Sequence, residues 1–357
     1  MHSENEETIQ AIGLMSGTSL DGLDIAGCTF SFKDEKIGFT IDCAETIPYL
    51  PGMVSMLKRT EHTGALEFFR THNAYGRWTG EVVRDFIGRF HLHPLLIANH
   101  GHTVFHRPEE GFTVQAGNGA QIAAITGIRT VCDFRSFDVA LGGQGAPLVP
   151  VGDRLLFGNY HACVNIGGFS NISMESDGSR IAWDICPANY VLNHYAGLSG
   201  LRFDDSGKIA RSGNLIPGLF QQLKRLDYYS AKPPKSLGRE WVEANIYPLA
   251  DKFLDDIPGI LHTLTVHIAE QISLSLPEKP FEKVLLTGGG VHNSFLIEMI
   301  RKMTSCHIDI PEPKIINFKE ALIFALLGVL RYKNIPNCLA SVTGAVSDSI
   351  GGAIYEA

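Results

Sequence analysis

Short apolar runs that end in glycine turns alternate with longer amphipathic stretches along this chain. Residues 9–15 and 23–30 predict two strands joined by a polar turn at 16–22. Residues 162–174 repeat this pattern around a turn at 167–171. A strand-to-helix phosphate loop is the alternative for 16–22, but Gly22, Gly27 and Thr29 are poor helix formers. The two hairpins indicate an internal duplication, although the residue identity between them is slight.

The remaining pattern predicts an α/β protein, in which strands alternate with helices. Apolar positions at helical spacing are clearest in 257–276, where they form one stripe. The other predicted helices are 63–90 (one or two helices), 118–126, 188–198 with Pro187 at its start, a helix from Asn293 or Ser294 to 303, and 319–332. The other predicted strands are 95–98, 130–133 and 284–287.

The length of 357 residues predicts two domains, because one hydrophobic core seldom grows so large. Hydrophobic residues make up 45% of the chain, enough for two cores. A glycine-proline cluster at 141–147 is the candidate junction. We therefore predict one lobe from residues 1–136 plus about 343–357, and a second lobe from residues 137–342.

Charge and composition exclude several classes of protein. The net charge of −8 disfavours a nucleic-acid partner, which requires a basic face. No apolar run is long enough to span a membrane, and the polar start of the chain does not read as a signal peptide. Seven scattered cysteines without a CxxC pair favour reduced thiols in the cytoplasm.

The glycine turns are chemically suited to phosphate binding. Phosphoryl transfer requires backbone N–H groups around the phosphates, a divalent cation and a positioned base. Three such turns, at 16–22, 167–171 and 287–293, match a nucleotide site better than three ordinary turns do, although an ordinary hairpin turn remains the alternative for 16–22. Asp21 is the candidate Mg²⁺ ligand. The candidate ATP-binding residues of these turns are Gly17, Thr18, Ser19, Asp21, Gly22, Gly167, Gly168, Gly288, Gly289, Gly290 and Asn293.

Two further polar positions are candidates for chemistry. Asp184 comes at a predicted strand end before Pro187, which suits a general base, although a carboxylate near a helix start is an equal alternative. Arg135 follows a strand and is able to clamp an anionic group, or to form a surface ion pair. The histidines at 100, 102 and 106 lack acidic or cysteine partners at ligand spacing, which disfavours zinc.

These segments together resemble the anhydro-N-acetylmuramic acid kinase family. The resemblance lies in residues 13–24, 100–104, 133–140, 142–150, 165–171, 287–293, 319–322 and 341–345. It spans nearly the whole chain in order. It implies a two-lobed, actin- and hexokinase-like (ribonuclease H-like) clamshell, with mixed sheets flanked by helices.

The resemblance also implies an activity. Such enzymes use ATP and Mg²⁺ to open the 1,6-anhydro ring of anhydro-N-acetylmuramic acid with water and phosphorylate O6. It implies that the whole 17–24 loop, including Leu20, Leu23 and Asp24, binds ATP, and that Asp184 activates the water. Thr103, Arg135 and Glu320 would contact the amino sugar, with Arg135 at its lactyl carboxylate. The sequence leaves open whether the protein forms a homodimer.

One departure from the family pattern falls beside the predicted base. The family usually has Trp-Asp-Thr-Gly-Pro, whereas this chain has Trp-Asp-Ile-Cys-Pro at 183–187. A bulkier Ile185 and Cys186 are expected to narrow the pocket and to change substrate choice or rate. The alternatives are therefore a kinase of another amino sugar that uses a substrate hydroxyl, and an ATP-gated module without chemistry.

Overall fold

A computed structural model describes residues 7–17, 20–34, 36–277 and 281–357. The strands are β1 Glu7–Ser16, β2 Gly22–Lys33, β3 Lys36–Pro48, β4 Leu96–Asn99, β5 His102–Arg107, β6 Phe112–Ala116, β7 Thr130–Cys132, β8 Ala162–Ile166, β9 Phe169–Ser176, β10 Ser179–Pro187, β11 Lys283–Thr287, β12 His307–Asp309 and β13 Ala353–Tyr355. The helices are α1 Pro51–Thr60, α2 Ala65–Phe90, α3 Gly119–Thr126, α4 Ser136–Ala140, α5 Val149–Leu156, α6 Asn189–Leu198, α7 Lys208–Ser212, α8 Pro217–Lys224, α9 Asp227–Ser230, α10 Arg239–Asn245, α11 Tyr247–Ala250, α12 Ile257–Ser275, α13 Ser294–Met303, α14 Pro313–Tyr332 and α15 Ala340–Thr343. The predicted α/β class with mixed sheets and flanking helices is confirmed.

The chain divides into two compact units, as its length predicts. Unit 1 contains residues 1–156 and 318–357, and unit 2 contains residues 157–317. The main sheet of unit 1 has the order β13-β7-β4-β1-β2-β3. In it β1, β2 and β3 are antiparallel neighbours, while β4 is parallel to β1 and β7 is parallel to β4.

Unit 2 repeats this topology. Its sheet has the order β10-β9-β8-β11-β12. Here β8, β9 and β10 are antiparallel neighbours, while β11 is parallel to β8 and β12 is parallel to β11. When the strands are numbered within each sheet, both sheets therefore read 3-2-1-4-5, apart from the added edge strand β13. The shared order supports the internal duplication that the two hairpins predict.

The bounds of the units differ from the predicted lobes. Residues 137–156 and 318–342 belong to unit 1, and the glycine-proline cluster at 141–147 lies inside that unit. Helix α14 packs so closely on β1 that a Cβ at Gly13 would lie 1.8 Å from the carbonyl oxygen of Ala321. A Cβ at Gly152 of α5 would lie 2.6 Å from a side-chain carbon of Ile323. Such contacts attach both segments to unit 1.

Several local predictions need correction. The stretch 63–90 is mainly α2, which follows the unpredicted helix α1. Strand β3 was not predicted, because it is an edge strand whose only buried residue is Ile41, so its apolar pattern is weak. Pro187 ends β10 and does not begin a helix, since α6 starts at Asn189. No helix among the described residues combines the length and the apolar character needed to cross a bilayer.

Candidate active site

The first glycine turn is a hairpin tip, as predicted, and not a strand-to-helix loop. Ser16 pairs with Leu23 at the ends of β1 and β2, so these two strands form an antiparallel hairpin. Leu20 has a positive φ of 56° and donates its N–H to the carbonyl of Gly17 at 3.3 Å. Thr18 and Ser19, both predicted to bind ATP, lie outside the described residues. Asp21 is exposed at this tip, whereas Gly22 is buried.

A buried chain of hydroxyl groups supports the base of this hairpin. Tyr49 donates to Ser16 Oγ at 2.7 Å, and its own oxygen lies 2.7 Å from the hydroxyl of Tyr75. Ser16 Oγ lies 3.1 Å from Nδ1 of His102. Burial lowers the pKa of His102 to about 4, so its ring is neutral near pH 7. The sequence did not reveal this network, because Tyr49 and Tyr75 belong to no recognised motif.

Unit 1 brings predicted nucleotide and sugar residues within electrostatic reach of one another. Burial raises the pKa of Asp24, against a hydrogen bond from Thr46 at 2.5 Å, and the charge of Asp21 raises it further. Desolvation also raises the pKa of Glu320, with a further increase from Asp24 and an opposing effect of Arg135. Asp24, Arg135 and Glu320 are far apart in the sequence, yet in the fold the charges of Asp24 and Arg135 shift the pKa of Glu320.

Arg135 is held on two sides. Its Nε and Nη2 lie 3.2 and 2.9 Å from Nε2 of His100, and its Nη1 donates to the carbonyl of Gly145 at 2.6 Å. Burial lowers the pKa of Arg135 to about 10, still well above neutral pH. Thr103 lies on β5, where it pairs with Gln115 of β6. Arg135 is thus a fixed, half-buried cation and not a mobile surface residue.

The glycine loop at 141–147 is fixed by one buried carboxylate. Asp138 is 1% exposed and accepts the N–H of Gly145 at 2.7 Å. Its other oxygen accepts from Thr343 Oγ1 at 2.8 Å and from the thiol of Cys338 at 3.1 Å. Asp138 therefore connects the loop that contacts Arg135 to the C-terminal part of the chain.

Replacement of Asp138 by alanine is expected to destabilise the protein by about 2–3 kcal/mol, because several buried donors lose their acceptor. Urea unfolding measures this change. Glu109→Ala is the matched control, since Glu109 is an exposed carboxylate of the same unit, and its effect should stay within about 0.5 kcal/mol. Equal stabilities of the two variants would contradict the role of Asp138.

The second and third glycine turns meet in unit 2. Gly288 has a φ of 83°, and a Cβ there would lie 2.5 Å from Oδ1 of Asn165. A Cβ at Gly290 would lie 2.2 Å from a side-chain carbon of Ile166. Since Ile166 ends β8 directly before the 167–168 turn, glycine at 288 and 290 allows the two turns to pack together. A side chain at Gly289 would have more room, with Asn189 Nδ2 at 3.9 Å.

The turn at 167–168 also receives helix α6. The N–H groups of Ala188 and Tyr190 donate to the Gly168 carbonyl at 2.8 and 3.0 Å, and that of Asn189 donates to the Gly167 carbonyl at 3.1 Å. Those backbone donors are therefore used within the protein. Asn293 caps α13, as predicted, because its side chain accepts the N–H of Leu296 at 3.1 Å.

Asp184 lies within β10, three residues before the strand ends, and not at the strand end as predicted. Its Oδ2 accepts the N–H of Leu237 at 2.9 Å, and its backbone N–H donates to the carbonyl of Lys235 at 3.1 Å. The hydroxyl of Tyr228 donates to its carbonyl oxygen at 2.5 Å. Within the part of the chain that the structure describes, Oδ1 of Asp184 accepts no hydrogen bond. Burial raises the pKa of this half-buried carboxyl, against the opposing effect of the Leu237 hydrogen bond.

Ile185 and Cys186, which depart from the family pattern, are buried in the hydrophobic core of unit 2. The pairing of β10 with β9 shifts between Asp184 and Cys186, so Ile185 is the extra residue of a β-bulge. Ile185 is 2% and Cys186 0% exposed, and both belong to the hydrophobic core of unit 2. These positions do not support the expectation that the two side chains narrow a pocket beside Asp184.

No cluster of three or more side chains suited to a metal ion occurs among residues 7–17, 20–34, 36–277 and 281–357. An exposed Asp21 at the hairpin tip still fits Mg²⁺, which in kinases takes one or two carboxylates and completes its shell with phosphate oxygens and water.

Both units have the same 3-2-1-4-5 strand order, and each begins with an antiparallel hairpin, so the protein has a duplicated α/β fold with mixed sheets. The model of the anhydro-N-acetylmuramic acid kinase family matches residues 9–357. The chain belongs to this family, whose members are phosphotransferases.

Individual relatives agree with this assignment. The chain is 34% identical to an anhydro-N-acetylmuramic acid kinase of Pseudomonas putida over 97% of this chain and 99% of that protein. It is 32% identical to the kinase of the same name from Hydrogenovibrio crunogenus, over 97% of each chain. Among solved structures, it is similar to component A of (R)-2-hydroxyglutaryl-CoA dehydratase from Acidaminococcus fermentans, with 14% identity, a TM-score of 0.44, and coverage of 89% of this chain and 96% of that one. That score is too low to support a further conclusion.

Proposed function

We propose that this protein is an ATP-dependent kinase that opens 1,6-anhydro-N-acetylmuramic acid with water and phosphorylates O6. The products are N-acetylmuramic acid 6-phosphate and ADP. The proposal rests on membership of the family and on the relatives that carry its name. Because the reaction consumes ATP, we place it in the cytoplasm, which also agrees with seven free cysteines.

Unit 1 supplies groups for both substrates in this proposal. The 17–24 hairpin would contact the nucleotide phosphates, and Asp21 would hold Mg²⁺, which supplies charge neutralisation to the transferring phosphate. Arg135 would bind the lactyl carboxylate, since a guanidinium fork matches a carboxylate. Thr103 would donate or accept hydrogen bonds at the polar sugar groups, and the Glu320 carboxylate would accept them. In unit 2 the proposed nucleotide contacts are the packed turns at 167–168 and 288–290, together with Asn293.

Asp184 is the proposed general base. It would accept a proton from the water whose oxygen bonds to C1 of the sugar, while the bond from C1 to O6 breaks. The freed O6 then bonds to the γ-phosphorus of ATP, and the bond between that phosphorus and the β,γ-bridging oxygen breaks, so that ADP leaves. The proton on Asp184 passes to solvent. The reaction therefore consumes one water and releases one proton per turnover.

The observation that carries this role is the unequal bonding of the two carboxylate oxygens. Oδ2 of Asp184 is fixed by Leu237, whereas Oδ1 has lone pairs available for a water proton. A base that is held at one oxygen keeps a defined orientation, which general-base catalysis requires. The alternative of another sugar rested on the expectation that Ile185 and Cys186 narrow the pocket beside Asp184. Because both side chains lie in the hydrophobic core of unit 2, that expectation lacks support.

An ADP-release assay tests the proposal. The panel contains 1,6-anhydro-N-acetylmuramic acid, N-acetylmuramic acid and N-acetylglucosamine, each with ATP and Mg²⁺. We expect release with the anhydro sugar to exceed release with either other sugar by at least about a hundredfold, since only that substrate supplies the ring opening. Equal rates with N-acetylglucosamine would overturn the assignment in favour of a kinase that uses a substrate hydroxyl.

The pH dependence of the reaction should report Asp184. Its carboxylate is the active form, so kcat/KM falls as the pH drops through its pKa. Because burial raises that pKa, the acid limb should lie above the ordinary aspartate value of about 3.9. The pH profile of kcat/KM between pH 4 and 8, with ATP saturating, gives this limb. A profile that stays flat down to about pH 4 would contradict the role of Asp184 as base.

A further inference from the structure

His100 is a buried residue to which the proposed mechanism assigns no task. It follows β4, and its backbone N–H donates to the carbonyl of Leu14 at 3.1 Å. Its ring is packed against Phe324 of α14, with 4.6 Å between the ring centroids. The His100 side chain is therefore held in place by Phe324, and only 5% of its surface is exposed.

The Nε2 edge of the His100 ring contacts Arg135. Nε2 of His100 lies within hydrogen-bond distance of both Nε and Nη2 of the guanidinium, at 3.2 and 2.9 Å. A guanidinium only donates, so Nε2 must be the acceptor, and the ring proton must lie on Nδ1. Burial and the charge of Arg135 both lower the pKa of His100, which keeps the ring in this neutral form.

These contacts determine which part of Arg135 remains available. A guanidinium has five N–H bonds. His100 takes one from Nε and one from Nη2, and the carbonyl of Gly145 takes one from Nη1 at 2.6 Å. Two N–H bonds remain, one on each terminal nitrogen. A carboxylate, with its two oxygens, is able to accept hydrogen bonds from both terminal nitrogens.

We propose that His100 is a positioning residue, which holds the guanidinium of Arg135 so that its terminal fork is free for the carboxylate of the sugar. His100 thereby determines selectivity for acid-bearing sugars over neutral ones. This inference rests on the proposed function, because it needs a substrate with a carboxylate.

Two variants and two sugars test the inference. His100→Phe keeps an aromatic ring against Phe324 but removes the acceptor, and His100→Gln restores an acceptor. The sugars are 1,6-anhydro-N-acetylmuramic acid and 1,6-anhydro-N-acetylglucosamine, which lacks the lactyl group. We expect His100→Phe to raise KM for the acidic sugar about tenfold or more, with little change in kcat, in KM for ATP, or in KM for the neutral sugar. His100→Gln should recover part of the loss.

A double-mutant cycle shows whether His100 acts through Arg135. In an Arg135→Ala background, His100→Phe should cause no further increase in KM for the acidic sugar. Equal increases for both sugars, or effects that add in the cycle, would overturn the inference. Should His100→Phe fail to fold by circular dichroism, His100→Leu serves in its place with the same expected and contradicting results. A parent protein that turns over neither anhydro sugar would instead refute the proposed function, and the inference with it.

Discussion

Asp184→Asn is expected to lower kcat by about 10³- to 10⁴-fold, which is the upper range for loss of a general base. The amide keeps the shape of the carboxylate, and its oxygen is able to accept the N–H of Leu237 that Oδ2 accepts in the parent. The free oxygen of the parent is lost, and a neutral amide does not take a proton from water. ATP binding should persist, because Asp184 is not among the predicted nucleotide residues. Steady-state ADP release and a nucleotide-binding titration measure the two effects.

Asp177→Asn is the matched control for this variant. Asp177 lies in the turn between β9 and β10 with a φ of 49°, which asparagine tolerates. The same chemical change at this position should leave kcat within about twofold. Asp184→Asn turnover within tenfold of the parent would remove Asp184 from the mechanism. Parallel loss of ATP binding would indicate a damaged fold and not a missing base.

Gly13→Ala is expected to destabilise the protein by more than about 3 kcal/mol, or to prevent folding. The added Cβ would lie 1.8 Å from the carbonyl oxygen of Ala321 and 2.7 Å from the amide nitrogen of Ala325. Both are backbone atoms of α14, so no side-chain rotation relieves the overlap, and β1 and α14 must separate. Urea unfolding measures the loss. The soluble yield serves as the measure if the variant does not fold.

Gly88→Ala is the control with the opposite expected sign. Gly88 lies on the exposed side of α2, and nothing lies within 4 Å of a Cβ there. Alanine is favoured over glycine in a helix by up to about 1 kcal/mol, and Gly88 lies in the last turn of α2, so this variant should be as stable as the parent or slightly more stable. A Gly13→Ala protein within 1 kcal/mol of the parent would contradict the close packing of α14 on β1.

The glycine-rich segment at 13–24 therefore combines two kinds of constraint. Gly13 belongs to the contact between β1 and α14, where a side chain does not fit. Gly17, Leu20 and Asp21 follow at the hairpin tip, which the proposal assigns to the nucleotide. The sequence predicts a strand at 9–15 and ATP contacts at 17–24, but it does not reveal the packing constraint on Gly13, because spacing alone does not separate a packing glycine from a phosphate-binding one.

Features that depend on neighbouring residues were predictable. An apolar run, a glycine turn and a second apolar run are enough to predict both hairpins, and α12 follows from its helical stripe. The division of the chain was not predictable in the same way. Every residue of α14 from 321 to 330 is buried. Its apolar sequence therefore predicts a helix that is buried on all sides, but it does not indicate which unit the helix packs against.

The polar contacts of the site were least predictable. Thr343 and Asp138 are separated by 205 residues, and His100 and Arg135 by 35, yet each pair is joined by a hydrogen bond. Such pairs arise from tertiary packing, and no local spacing encodes them. The histidine at 100 was considered only as a metal ligand, because its acceptor role requires knowledge of where Arg135 lies.

The fate of the water oxygen tests the central claim most directly. The reaction is run with 1,6-anhydro-N-acetylmuramic acid and ATP in ¹⁸O-water and quenched early, and the products are analysed by mass spectrometry. Unlabelled N-acetylmuramic acid 6-phosphate in the same water controls for exchange at C1. The account predicts one ¹⁸O in the sugar product, at the C1 hydroxyl, and none in its phosphate. A phosphorylated sugar without label at C1, or label appearing in free phosphate in place of the sugar, would contradict it.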